Sequence, residues 1–199
     1  MTSTKRLLTG LVLVVGLFPP LAAPASATPK APNVHPWLLT LAEMPLGWST
    51  AAAPAVGRTG CFALAVTLLS EHPGSSGTVA YEKGQAPLVQ EMLVSWPAEL
   101  AARHALKVVV ANTASCHQFK DQGTTVTVEA LNLGHYGSLS SAYQLTYTES
   151  GTVVAEDFVL ALKGRAVMEF SYADEEDFLN TDLSQIQSLL ATAMADVKG

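Results

Sequence analysis

Apolar and polar residues alternate along three consecutive stretches near the C-terminal end, and this alternation predicts a β-meander. Residues 143–148, 154–162 and 168–172 each place apolar side chains at every second position over most of their length, as expected of strands with a buried face. The turns at Gly151 and Gly164 are short. Parallel strands would need much longer crossovers, so the three strands are expected to be antiparallel neighbours.

Segments upstream of the meander extend this sheet. Residues 78–83 and 124–131 alternate in the same way, and the apolar run 88–96 is of strand length and ends before Pro97. The Gly- and Ser-rich residues 72–77 are predicted to form a loop. Together with the meander, these segments predict an antiparallel sheet of about five to six strands.

Two helices with apolar stripes are predicted to cover the sheet. The first covers residues 98–112, starts at Pro97 and is capped by Ser95 or Trp96. The second begins at a cap on Asn180 or Thr181. The predicted stripes are Ala101, Ala105, Val108, Val109 and Asn112 on the first helix, and Leu183, Ile186, Leu190, Ala193 and Val197 on the second.

Two shorter segments are also predicted to be helical. One is the Ala- and Leu-rich run 61–70, and the other is residues 37–43, with Trp37, Leu38 and Leu41 facing the core. The C-terminal helix is expected to dock on the meander, on the face that carries Phe158, Leu160 and Leu162. The predicted fold class is therefore α+β: an antiparallel sheet with a C-terminal β-meander, covered by two or three helices.

The first 27 residues have the pattern of a secretory signal peptide rather than of the fold. Lys5 and Arg6 precede an apolar run, and residues 25–27 read Ala-Ser-Ala, the small-residue motif of a cleavage site. Cleavage after Ala27 would leave a Pro-rich tether, residues 28–36, and a single secreted domain, residues 37–199. No later apolar run is long enough to span a bilayer, so the mature chain is expected to carry no membrane anchor.

Charge argues against two classes of partner. The whole chain has a formal net charge of −6, and removal of Lys5 and Arg6 with the leader makes the mature chain more acidic still. Its remaining basic residues are scattered, whereas nucleic acids and anionic lipids are bound by clustered ones. We therefore expect neither as a partner.

The chain has two cysteines, Cys61 and Cys116, and both lie in the exported part. In an oxidising compartment such a pair is expected to form a disulfide. The alternative is a free, catalytic Cys116 beside His117. Sequence neighbours rarely have the geometry of a nucleophile and its base, so the disulfide is favoured.

Motifs that would mark an enzyme or a metal site are absent from the sequence. It has no G-x-S-x-G, H-E-x-x-H, C-x-x-C or Walker motif. The four acidic residues 174–177 lack the spacing of a calcium loop and fit a solvated bend. No cofactor and no metal are predicted, and the chain is not expected to be an enzyme.

A few aromatic and polar residues are candidates for the lining of a ligand groove. His135 and Tyr136 occupy a Gly-flanked loop at the mouth of the sheet, and Trp96 and Tyr143 lie at a strand end and in the meander. Amphipathic rings of this kind line many binding sites. For His135 and Tyr136 the alternative, a turn with an aromatic lid on the core, is favoured over a ligand-binding role.

The order of these features resembles a known family. An L-x-E-M-P-x-G-W motif comes first, formed by Leu41, Glu43, Met44, Pro45, Gly47 and Trp48. It is followed by the Cys61 segment, a strand pair, a helix ending at Cys116, a G-H-Y-G-S loop and the meander. This arrangement is similar to the secreted actinobacterial sensor-domain family, which includes the extracellular sensor domain of mycobacterial serine/threonine protein kinases. The resemblance implies helices packed on an antiparallel sheet and a groove for an extracellular ligand. One possible disulfide instead of two, and no kinase domain, are departures from the family pattern.

Two function classes remain after these steps. The first is a secreted, non-enzymatic sensor-like module that binds an extracellular small molecule or a cell-envelope component in a groove. The second is a secreted hydrolase with dispersed catalytic residues, and a structural envelope protein is a weaker third. A cleft with convergent polar groups would favour the first two. A Ser or Cys within hydrogen-bond reach of a His, with a carboxylate orienting that His, would favour the hydrolase.

Overall fold

The computed structural model describes residues 29–53, 60–63, 65, 67, 74–84, 86–149, 151–174 and 183–198. One antiparallel sheet of eight strands, in the order β1-β2-β3-β8-β7-β6-β5-β4, organises these residues. The strands are β1 Ser49–Thr50, β2 Ser75–Glu82, β3 Leu88–Ser95, β4 Gln118–Asp121, β5 Thr124–Leu131, β6 Leu139–Glu149, β7 Thr152–Lys163 and β8 Ala166–Asp174.

The predicted meander is confirmed as strands β6, β7 and β8. β7 pairs antiparallel with β6 from Leu139↔Leu162 to Glu149↔Thr152, and with β8 from Ala155↔Asp174 to Lys163↔Ala166. Eight strands are present rather than five to six, because the sequence did not predict the two-residue β1 or the four-residue β4. β2 also begins at Ser75, within the stretch predicted as a loop.

One face of the sheet is covered by helix α1, Glu99–Thr113. Its buried stripe is Ala102, Leu106, Val109 and Thr113. Val109 is buried as predicted, but the rest of the predicted stripe was wrong by about one residue, or roughly 100° of rotation. The predicted cap was also wrong. Ala98 occupies the N-cap position without a side-chain bond, and the Ser95 hydroxyl donates to the Pro32 carbonyl at 2.6 Å instead.

The opposite face is covered by helix α2, Leu183–Asp196, and by the N-terminal segment. Leu190 is buried as predicted, but the expected docking surface was wrong. Phe158, Leu160 and Leu162 lie in the α1-side core, whereas α2 shares its core with Val159 and Ala161. The error arises because β7 is apolar on both faces, so alternation alone does not assign a helix to either one.

The N-terminal segment forms two 3-10 turns, His35–Trp37 and Leu41–Glu43, and not the single helix predicted for residues 37–43. Leu39 is buried, whereas Leu41, which was predicted to face the core, is exposed. Val34, within the predicted tether, is also buried. This part of the chain therefore packs against the sheet.

The predicted disulfide between Cys61 and Cys116 is confirmed, with its Cα atoms 6.0 Å apart. It joins the 3-10 turn Gly60–Phe62 to the residues just past α1. Of the predicted helix 61–70, the described residues Ala63, Ala65 and Thr67 are helical. Because both thiols are bonded, a free nucleophilic Cys116 is not available.

Several predictions fall outside the described residues: the signal peptide, most of the acidic stretch 174–177, and the caps at Asn180 and Thr181. Within the described ranges, no helix is long and apolar enough to cross a bilayer.

Candidate functional site

The four residues predicted to line a groove do not meet at one place. Trp96 and Tyr143 are buried in the α1-side core, and the Tyr143 hydroxyl lies 2.7 Å from Thr113 Oγ1. Tyr136 packs against the core on the α2 side, and His135 is exposed. Ligand binding by these residues stays a prediction.

A groove does open between the N-terminal segment and α2, and we call it the α2 groove. Its volume is about 320 Å³. One wall comes from the turn that contains Glu43 and Pro45, and the other comes from one side of α2. The lining residues are Glu43, Pro45, Ser184, Gln185, Ser188, Leu189 and Thr192.

Local sequence explains both walls of the α2 groove. Thr40 and Glu43 form a capping box, in which the Thr40 amide and hydroxyl both donate to Glu43 Oε2 at 2.7 Å. These two bonds hold the Glu43 carboxylate in place. On α2, Ser184, Ser188 and Thr192 follow one another at four-residue spacing, so their hydroxyl-bearing side chains share one side of the helix.

Exposed leucines adjoin the lining residues of this groove in sequence. Leu41 is 44% exposed and Leu46 is 99% exposed, and both belong to the stretch that carries the Glu43 wall. Leu183, which is 43% exposed, begins α2 next to Ser184. These three are most of the large exposed hydrophobic residues found in the described chain. Exposed leucines beside a groove offer apolar surface to a ligand or partner.

A buried carboxyl group lies beneath the N-terminal segment. Glu91 of β3 is 0% exposed, and the Leu39 amide donates to its Oε2 at 2.7 Å. Its Oε1 has no hydrogen-bond partner among the described residues. Burial raises the pKa of Glu91 to about 7, and the carboxylates of Asp196 and Glu43 add to the rise, while the Leu39 amide opposes it.

Two further carboxyl groups, Glu43 and Asp196, interact electrostatically with Glu91, and Glu43 also lines the groove. Hydrogen bonds from Thr40 lower the pKa of Glu43. Burial, followed by the neighbouring Glu43 carboxylate, raises the pKa of Asp196, and Lys198 and Lys163 oppose that rise. Asp196 is therefore the member of this pair that retains its proton more readily.

The pKa of Glu91 predicts an inverse dependence of stability on pH. A carboxyl whose pKa is raised on folding holds its proton longer in the folded state, so stability is present in acid and is lost as pH rises from about 4.5 to 7. The loss should be about 3 kcal/mol, at roughly 1.4 kcal/mol per pKa unit. Glu91→Gln should flatten urea-unfolding stability over this interval.

The matched control is Glu129→Gln, because Glu129 is exposed on β5. This variant should keep the wild-type slope. If Glu91→Gln and Glu129→Gln showed the same slope as the wild type, Glu91 would not be the titrating group.

A second concavity, of about 290 Å³, lies at the β4–β5 hairpin and the end of β6. Asp121, Gln122, Thr124 and Tyr147 contribute to its lining. It is built largely from one hairpin and its neighbour, whereas the α2 groove joins segments from opposite ends of the described chain. Across the described ranges, no group of three or more His, Cys, Asp or Glu residues could hold a metal ion.

Two features of the sequence mark parts of this site. T-x-x-E at Thr40–Glu43 is the signature of a capping box. Glu91 interrupts an apolar strand, and a carboxylate in a buried strand often has a specific role.

Comparison with known proteins supports the fold. Neither a protein-family model nor a curated protein matches the chain. Among solved structures, the fold is similar to the crystal structure of the extracellular domain of PknH from Mycobacterium tuberculosis, with a TM-score of 0.57 and 10% identity. The match covers 80% of this chain and 91% of that domain. The predicted resemblance to the sensor-domain family is thus confirmed as a likeness of fold.

Proposed function

We propose that this chain is a secreted, non-enzymatic sensor-like domain that binds an extracellular amphipathic ligand in the α2 groove. The observation that carries the proposal is the groove itself, with hydroxyl and amide side chains along its wall and exposed leucines adjoining its lining residues in sequence. The similarity of fold to a kinase extracellular domain supports a sensor-like role. The leader pattern of residues 1–27 supports secretion.

The lining indicates the chemistry of the ligand. The hydroxyl groups of Ser184 and Ser188 can donate to and accept from hydroxyl groups. The Thr192 hydroxyl donates to the Ser188 carbonyl at 3.0 Å and can accept, and Glu43 accepts from hydroxyl or ammonium donors. Leu46 and Leu183 offer apolar surface to a hydrocarbon portion. A cell-envelope component with a polar head and an apolar tail has both kinds of group.

Binding of a defined amphiphile tests this proposal. Dodecyl maltoside, used as a monomer below its micelle concentration, has a hydroxyl-rich head and an alkyl chain. Titration into ¹⁵N-labelled protein should shift the amide resonances of residues 41–46 and 183–192. Ser188→Trp should fill the groove and weaken binding at least about tenfold, which is 1.4 kcal/mol.

Ala191→Trp is the matched control, because Ala191 is exposed on the same helix and does not line the groove. It should bind dodecyl maltoside like the wild type. Shifts at the β4–β5 hairpin instead of the groove, or equal weakening by both tryptophans, would contradict the assignment of the site.

A further inference from the structure

The segment that carries the Glu43 wall is held to the sheet through Leu39, and we call residues 38–44 the strap. The Leu39 amide donates to Glu91 Oε2 at 2.7 Å, and the Tyr81 hydroxyl donates to the Leu39 carbonyl at 2.6 Å. Leu38, Leu39 and Met44 also bury their side chains in the α2-side core. The position of the groove wall therefore depends on how firmly the strap docks.

Glu91 is an unusual anchor for such a segment, since its environment lacks compensating charge. Its neighbours on the sheet face, Val89 and Leu93, are apolar. The titratable groups nearest to it are Tyr81 of β2, Glu43 of the strap and Asp196 of α2. The cations in this region, Lys163 of β7 and Lys198, act on Asp196, and Lys163 Nζ donates to the Met194 carbonyl at 2.6 Å.

We propose that the ionisation state of the Glu91 carboxyl controls docking of the strap. The Glu43 wall of the α2 groove is then held in place in acid and loosened in base. When Glu91 loses its proton to solvent, the docked strap encloses an anion that has one donor and no cation among the described residues. Undocking admits water to that anion and relieves the penalty.

The size of the effect follows from the chemistry of the carboxyl. In the docked state burial holds the pKa of Glu91 at about 7, against an ordinary value of 4.5. If the undocked state restores the ordinary value, the docking equilibrium changes by up to about 150-fold between pH 4.5 and pH 8. Because Asp196 is half-buried beside Glu43 and its pKa is raised, its ionisation acts in the same direction.

The pH dependence of ligand affinity follows from strap docking and rests on the proposed function. A ligand that contacts both Glu43 and α2 binds the docked strap better than the undocked one, so it shifts the equilibrium toward docking. Its affinity should therefore fall as pH rises through 7. Protonation would then regulate the same groove that holds the ligand.

Hydrogen exchange measures docking without any ligand. The protection factor of the Leu39 amide, corrected for the intrinsic rate at each pH, is followed by NMR from pH 5 to 8. In the wild type it should fall at least tenfold across this range. In Glu91→Gln, which has no charge to bury, it should stay within about twofold, and Glu129→Gln should behave like the wild type.

A titration of the wild-type protein tests the inference without relying on the folding of a variant. The ¹³C resonance of the Glu91 carboxyl should titrate near pH 7, and the Leu39 amide shift should follow with the same midpoint. A Glu91 midpoint near 4.5, or constant Leu39 protection in the wild type, overturns the inference.

The same samples separate the two proposals. If Leu39 protection depends on pH while dodecyl maltoside fails to shift the groove resonances at any pH, docking is pH-controlled and the proposed function fails. If dodecyl maltoside binds equally well at pH 5 and pH 8 and Leu39 protection is constant, the groove binds ligand and the inference about docking fails.

Discussion

Leu190→Ala is expected to lower the free energy of unfolding by about 2–5 kcal/mol. Leu190 is fully buried in α2, in the core that also contains Val159, Phe170 and Ile186. The substitution removes apolar contacts and leaves a cavity that rigid sheet residues fill only in part. Chemical denaturation with the disulfide intact measures the loss.

Ser188→Ala is the matched control for this variant. Ser188 is exposed on the same helix, two residues away, and alanine is at least as good a helix former as serine. Its stability should stay within about 0.5 kcal/mol of the wild type. Equal, small losses in both variants would mean that α2 contributes little to the stability of the sheet.

The long strands could be predicted because their side chains alternate over many residues. β5 has the predicted bounds, Thr124–Leu131, and the meander has the predicted strand order. β1 and β4 could not be found in this way, because two or four residues do not establish a period. They form because the neighbouring strands β2 and β5 offer them backbone partners.

Helix orientation was harder to predict where alanines are frequent. α1 contains Ala101, Ala102 and Ala105, so two adjacent stripes along it are similarly apolar. Tertiary contacts select the stripe with Ala102, Leu106 and Val109. For α2 the larger residues Ile186 and Leu190 define the stripe. Ile186, Leu190, Ala193 and Val197 are buried as predicted, whereas Leu183, predicted for the same stripe, is exposed because it lies at the first position of the helix. The sequence did not indicate that Leu189 and Met194 are buried as well.

Sequence patterns did not indicate the candidate site, because its side chains are not the aromatic ones typical of ligand grooves. Trp96 and Tyr143 lie on or beside strands whose apolar side chains form the core, and burial of large rings stabilises that core. The α2 groove instead uses Ser, Thr, Gln and a single Glu. Such side chains are common on any exposed helix face, and only the fold brings Glu43 beside α2.

Removal of the disulfide is expected to lower the free energy of unfolding by about 4 kcal/mol. Cys61 and Cys116 are 55 positions apart. Without the bond the unfolded chain regains the conformational entropy that closing a loop of this length removes, and this gain accounts for the estimate. The bond also holds Phe62 in the α1-side core, where its ring centre lies 5.1 Å from that of Phe158 and 5.7 Å from that of Tyr143. The double variant Cys61→Ala, Cys116→Ala should show this loss in urea unfolding.

A matched variant distinguishes the covalent bond from the contacts around it. Asn112→Ala keeps the disulfide and removes only the Asn112 Nδ2 hydrogen bond, 3.0 Å long, to the Cys61 carbonyl. It should cost about 1 kcal/mol or less, because that bond is exposed. A larger loss in Asn112→Ala than in the double cysteine variant would contradict the prediction, since the local contacts, and not loop closure, would then stabilise the Cys61 segment.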